Sequence, residues 1–181
     1  LLLTRYRCDP RAAVRQAEEL IGFAKDREFP EYVAKAEVFL GWALAKGKRR
    51  RQEGIDTMRA AIASHDNIGT REDPPVWLEM LADGYLESGE YRAGLDTVDE
   101  AFEHTAQSGL RFWRAELYRR RGALLLGLGE DRFGEARECF RSAIEVCVEQ
   151  GALSLELRAT TELARVEARR PENHSDAWAS Y

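Results

Sequence analysis

Apolar residues recur along this chain at helical spacing. From Ala136, the positions Cys139, Phe140, Ala143, Ile144 and Cys147 follow at offsets of 3, 4, 7, 8 and 11 residues. They form one stripe of a helix with about 3.6 residues per turn. Gly54, Ile55, Met58, Ala61 and Ile62 repeat the pattern, as do Leu95, Val98, Ala101 and Phe102. No run of β-branched alternation bounded by turn residues predicts a strand. Pro10, Pro30, the Pro74-Pro75 pair and Pro171 fall where helices should start or stop. Gly47, Gly69, Gly89, Gly109, Gly129 and Gly151 fall where the chain should turn. The pattern predicts an all-α protein.

The helices also repeat. Gly41, Ala82, Gly122 and Ala164 are spaced by 41, 40 and 42 residues, and Leu20, Ala61, Ala101 and Ala143 show the same intervals. Ala13, Gly54, Gly94, Ala136 and Ala177 follow at 41, 40, 42 and 41. Small residues at fixed offsets let two helices cross at close distance. The predicted unit is therefore a helical hairpin of about 41 residues, stacked some four times. Extrapolating that frame places one crossing residue just before Leu1 and another beyond Tyr181. The chain is thus expected to be a fragment of a longer protein, with apolar surface uncovered at Leu1–Leu3 and around Trp178.

Composition narrows the classes. The 181 residues are 44% hydrophobic, enough for a continuous core, and 27 Lys+Arg against 32 Asp+Glu leave a net charge of −5. This mild acidity disfavours a dedicated nucleic-acid binder. No apolar stretch approaches the roughly 18 residues of a spanning helix, so no membrane partner is expected. Three cysteines, Cys8, Cys139 and Cys147, are too few for a disulfide scaffold and suit a reducing, cytoplasmic setting.

Leu81-Ala82, Tyr85, Gly89, Tyr91, Gly94 and Ala101, within LADGYLESGEYRAGLDTVDEAF, resemble the tetratricopeptide (TPR) family. The long unit resembles the maltose-regulator subclass. Phe112–Leu126 and Glu135–Arg165 further resemble the TPR region that follows the predicted ATPase of bacterial class III adenylate/guanylate cyclases and related regulators. The resemblance implies a right-handed α-solenoid over residues 1–170, with residues 171–181 beginning a truncated further helix. It spans roughly residues 10–166 and departs after Arg169, at Pro171-Glu172-Asn173-His174.

Catalytic chemistry is not expected. The chain has no phosphate loop of the G-x-x-x-x-G-K-[ST] kind, no H-E-x-x-H and no C-x-x-C. Gly127-Leu128-Gly129 lies between helices and reads as a turn. His65 and His104 occupy the last turns of equivalent helices, where a cation faces the negative helix end. Cys139 and Cys147 sit on an apolar stripe and read as small hydrophobes. No cofactor and no metal are expected. The basic runs Lys46–Arg51 and Arg119–Arg121 read as solvated faces, with Glu53, Asp56 and Glu116 at charge-pair spacing.

The resemblance does imply a groove lined by the first helix of each unit. Positions three before and one after each crossing residue are Val38 and Trp42, Glu79 and Asp83, Arg119 and Ala123, and Thr161 and Arg165. Lys35, Glu116 and Arg158 lie a turn earlier. The groove should be acidic at its second unit and basic at its third and fourth. Its expected occupant is a protein or peptide, such as another domain of the same parent chain, or a small molecule. The expected role is a non-catalytic interaction or sensing module of a nucleotide cyclase or ATPase switch. The alternatives are part of an enzyme in its parent's sense, a transcriptional-regulator sensor and a free-standing scaffold.

Overall fold

A computed structural model describes residues 1–7, 9–68, 74–109 and 111–168. Among these residues the chain is helical without strands. Its helices are α1 (Leu2–Tyr6), α2 (Pro10–Lys25), α3 (Pro30–Ala45), α4 (Arg51–Ile68), α5 (Pro74–Ser88), α6 (Tyr91–Ser108), α7 (Arg114–Leu128), α8 (Phe133–Gln150) and α9 (Leu153–Ala168). None of the described helices is long and apolar enough to cross a membrane.

The ends follow local chemistry. Pro10 and Pro30 open α2 and α3, where a missing N–H costs nothing. Asp9 caps α2 by accepting from the Ala12 amide at 3.0 Å. Gly109 and Gly151 close α6 and α8 with φ of 72° and 64°, a left-handed conformation that glycine adopts without a Cβ penalty. The even helices α4, α6 and α8 have 18 residues each, whereas α3, α5, α7 and α9 have 15 or 16. These even helices are thus two or three residues longer than the odd ones beside them.

Each helix packs on the next in sequence, and the odd helices also pack on one another, α3 on α5, α5 on α7 and α7 on α9. The tightest crossing joins α3 to α4. A Cβ on Gly41 would stand 2.6 Å from the Gly54 carbonyl oxygen and 2.8 Å from the Met58 amide nitrogen, so both backbones must stay bare there. Ala82, Ala61, Ala101 and Ala143 are buried in the same manner, as are Ala13, Gly54, Gly94 and Ala136. Phe140 and Ala136 crowd Gly122. The largest apolar cluster gathers Val38, Phe39, Trp42, Trp77 and Met80 from α3 and α5 with Ile55 and Met58 from α4.

Two members of the small-residue series depart from expectation. Leu20 is only half-buried, and Ala164 is exposed. The crossing residues Gly41 and Gly122 face the helix that follows theirs. No described helix follows α9, so Ala164 has nothing to cross. At the N-terminus Leu1 packs against the first core cluster, while Leu3 is 78% exposed. Residues 171–181, Ala177 and Trp178 among them, lie outside the described residues, as do Cys8 and Gly69.

Candidate functional site

The odd helices bring most of the expected groove residues together, but against one another. Glu79 of α5 is 1% exposed and accepts from Arg120 of α7, whose Nε and Nη2 lie 3.1 and 2.9 Å from its Oε1. Its Oε2 accepts from Arg5 of α1. Asp83, one turn on, meets Arg120 Nη1 at 2.6 Å and Lys46 Nζ at 2.7 Å. It also accepts from the Trp42 indole N–H at 2.8 Å. Glu116 is gripped by Arg119 through Nε at 3.0 Å and Nη2 at 2.9 Å, with Arg158 of α9 at 3.2 Å.

Electrostatics follow from that packing. Burial alone would push the Asp83 carboxyl up, yet the charges of Arg120 and Lys46 hold it well below the usual carboxylate range. Burial opposes ionisation of Glu116 as well, and Arg119 with Arg158 reverses it, leaving the carboxyl at about 2. For Arg119, burial disfavours the charge, but Glu116 raises its pKa overall. Asp83, Glu116 and Arg119 are therefore ionised at neutral pH.

These contacts correct the expectation of a groove with divided charge. The acidic residues of α5 and the basic residues of α7 are not free for a ligand, because Glu79 and Asp83 pair with Arg120 and Arg5 and Glu116 with Arg119. Val38 is buried in the first core cluster and Trp42 is 2% exposed, since both belong to the α3–α5 packing surface. Lys35 lies elsewhere on α3, paired with Glu31 at 2.6 Å. Thr161 donates to the Leu157 carbonyl at 2.7 Å. Arg165 is largely exposed, 3.3 Å from Glu162. Arg119 and Arg120 are buried, contrary to a solvated basic run, whereas Arg121 is half-buried and pairs with Asp99.

A chamber of about 320 Å³ remains between these elements, with Arg5, Tyr6, Trp42, Lys46, Asp83 and Arg158 among its walls. Tyr6 approaches the Arg158 guanidinium at 5.6 Å from its ring centre, so α1 reaches across the odd helices toward α9. Thr4 fixes α1 to α2 by donating to Gln16 at 2.7 Å. Sequence reasoning missed Arg5, Tyr6, Arg120 and Glu87. A signal for two of them was present in the spacing. Trp42–Asp83, Lys46–Glu87 and Glu79–Arg120 each link residues 41 apart, within one residue of the small-residue spacing.

His65 is buried, with Trp77 edge-on at 6.4 Å. Burial raises the thiol pKa of both Cys139 and Cys147. Among the described residues no group of His, Cys, Asp and Glu is placed to hold a metal ion.

No protein-family profile matches the chain. It is 29% identical over 160 residues to an uncharacterised protein of Rhizobium meliloti. The alignment takes in 85% of this chain and 15% of that protein, which is therefore much the longer of the two.

Proposed function

We propose that this chain is a non-catalytic interaction or ligand-sensing module, a right-handed solenoid of about four long TPR-type hairpins within a larger bacterial signalling protein. In that setting it biases a nucleotide cyclase or ATPase switch. The observation that carries the reading is the layer of odd helices whose side chains meet partners 41 residues away. Stacked identical units make such neighbours by construction. The much greater length of the Rhizobium meliloti relative supports a setting among further domains.

A surface of this kind binds by its exposed rim, because most of the deeper charges are engaged with one another. The rim side chains are Arg158 and Arg165, 35% and 65% exposed. The test expresses this chain apart from the remainder of its parent polypeptide and measures their association by titration. Arg158→Glu with Arg165→Glu should weaken it about tenfold or more, and added salt should slow the on-rate more than it speeds dissociation. The exposed pair Arg59→Glu and Arg141→Glu, on α4 and α8, should leave it unchanged. Equal losses from both pairs would refute the assignment of this face.

A further inference from the structure

We propose that the chamber between α1 and the odd helices is a binding site for a small organic oxyanion, a carboxylate or a phosphate. The inference rests on the same face as the proposed function and adds the chemistry of its ligand.

Three observations converge on it. The first is charge. Arg5, Arg120, Lys46 and Arg51 share the carboxylates of Glu79, Asp83 and Glu87. Four cations thus meet three anions in one connected network. Across the chamber Arg119 and Arg158 share Glu116 alone. Both networks border the same space. The first is balanced at the chamber walls, its fourth cation Arg51 lying outside them, so the positive excess there is that of Arg119 and Arg158 over Glu116. Glu162 also lines the chamber but brings its own cation, Arg165.

The second observation is an orphaned donor set. Arg5 is 4% exposed, and only its Nη2 reaches Glu79; its buried Nε and Nη1 have no acceptor. Buried guanidinium N–H groups without an acceptor are expensive, and an oxyanion satisfies several of them at once. The third is shape. A volume of about 320 Å³ lies at the lower end of the range for small-molecule sites. Trp42 and Tyr6 add aromatic wall beside the charges, suited to the carbon skeleton of an organic acid. A partner's acidic side chain offers the same oxyanion, but the volume favours a free small molecule.

The experiment titrates the purified chain calorimetrically with sodium phosphate and with succinate, at ionic strength held constant with sodium chloride. Succinamide, neutral and of similar shape, is the control. Saturable binding of at least one oxyanion, and none of succinamide, is expected. Arg158→Gln should weaken it about tenfold, the loss of one charged hydrogen bond, and Arg5→Gln by at least as much. Ala123→Phe should abolish it by filling the chamber that Ala123 lines, while Arg141→Gln on α8 should have no effect. Should Arg5→Gln fail to fold by circular dichroism, Arg158→Gln and Ala123→Phe decide the matter. Absence of saturable binding, equal binding of succinamide, or undiminished binding in Ala123→Phe overturns the inference. If oxyanions do not bind while domain association still depends on Arg158 and Arg165, only the ligand chemistry is wrong. If association loses that dependence while oxyanions bind, the proposed role of the face in partner binding is what fails.

Discussion

Replacing Glu116 by glutamine keeps the side chain's shape and removes the charge that Arg119 and Arg158 share. Glu116 is 1% exposed, and both hydrogen bonds from Arg119 end on it. Its carboxyl stands at about 2 against an ordinary value near 4.5. A group whose pKa is depressed on folding stabilises the folded state above its unfolded pKa. That stability is lost as pH falls from about 4.5 through about 2. The gap is worth about 3 kcal/mol at neutral pH, similar to the roughly 3–5 kcal/mol expected on breaking a buried pair. Glu116→Gln should therefore lower the melting temperature at pH 7 by about 6–12 °C in a chain of this size.

The decisive readout is the pH dependence of that loss. Urea unfolding followed by far-ultraviolet circular dichroism gives the stability of both proteins at pH 7 and at pH 3. At pH 3 Glu116 of the unfolded chain is protonated while the native carboxyl remains mostly ionised, so folding must release that proton and the difference should shrink to about 1 kcal/mol. A merely misfitting amide would cost the same at both values. An unchanged difference at pH 3, or no difference at pH 7, sinks the argument that the paired charge is what stabilises this site.

Further outcomes follow from other parts of the fold. Gly41→Ala should destabilise more than Gly122→Ala in thermal melts, because its Cβ meets the Gly54 and Met58 backbone at 2.6 and 2.8 Å. That of Gly122 meets the Phe140 ring at 2.9 Å and the Ala136 carbonyl oxygen only at 3.1 Å. The Gly41 change should cost about 1–3 kcal/mol, and equal melting temperatures would contradict the close crossing. In a Cys8→Ser background, thiol titration should find Cys147, 1% exposed, unreactive until the chain unfolds, with Cys139 reacting slowly. Immediate modification of both would show that α8 is not packed as described. Incubation with ATP or GTP and magnesium should yield neither cyclic nucleotide nor free phosphate above a blank; turnover that survives repurification would overturn the non-catalytic reading.

The helical class was legible because the signals that specify it are local and redundant. Period, proline starts and glycine ends all lie within one element, and Pro10, Pro30, Gly109 and Gly151 took their expected places. The small-residue series located the α3–α4 and α7–α8 crossings, since a bare backbone is required wherever two axes approach. It failed at Ala164, where a small residue faces no described helix. The five-residue α1 was not legible either, having too few positions to show a period. Arg5 is buried only because Glu79, 74 residues away, lies opposite it.

Charge on a repeated face is misread when it is read along the sequence alone. Glu79 and Asp83 suggest an acidic stretch and Arg119–Arg121 a basic one, each apparently open to a ligand. Between the odd helices, however, the partners of these side chains lie 37 to 42 residues away in sequence. Folding the sequence at 41 residues places Trp42 beside Asp83, Lys46 beside Glu87 and Glu79 beside Arg120, the three contacts found. Lys46–Glu87 and Glu79–Arg120 cancel and Asp83 offsets Arg5, so what remains is the second guanidinium on Glu116 and the unaccepted N–H groups of Arg5. An oxyanion site can therefore form within an acidic chain, because the local excess is set by the fold's register and not by the net charge.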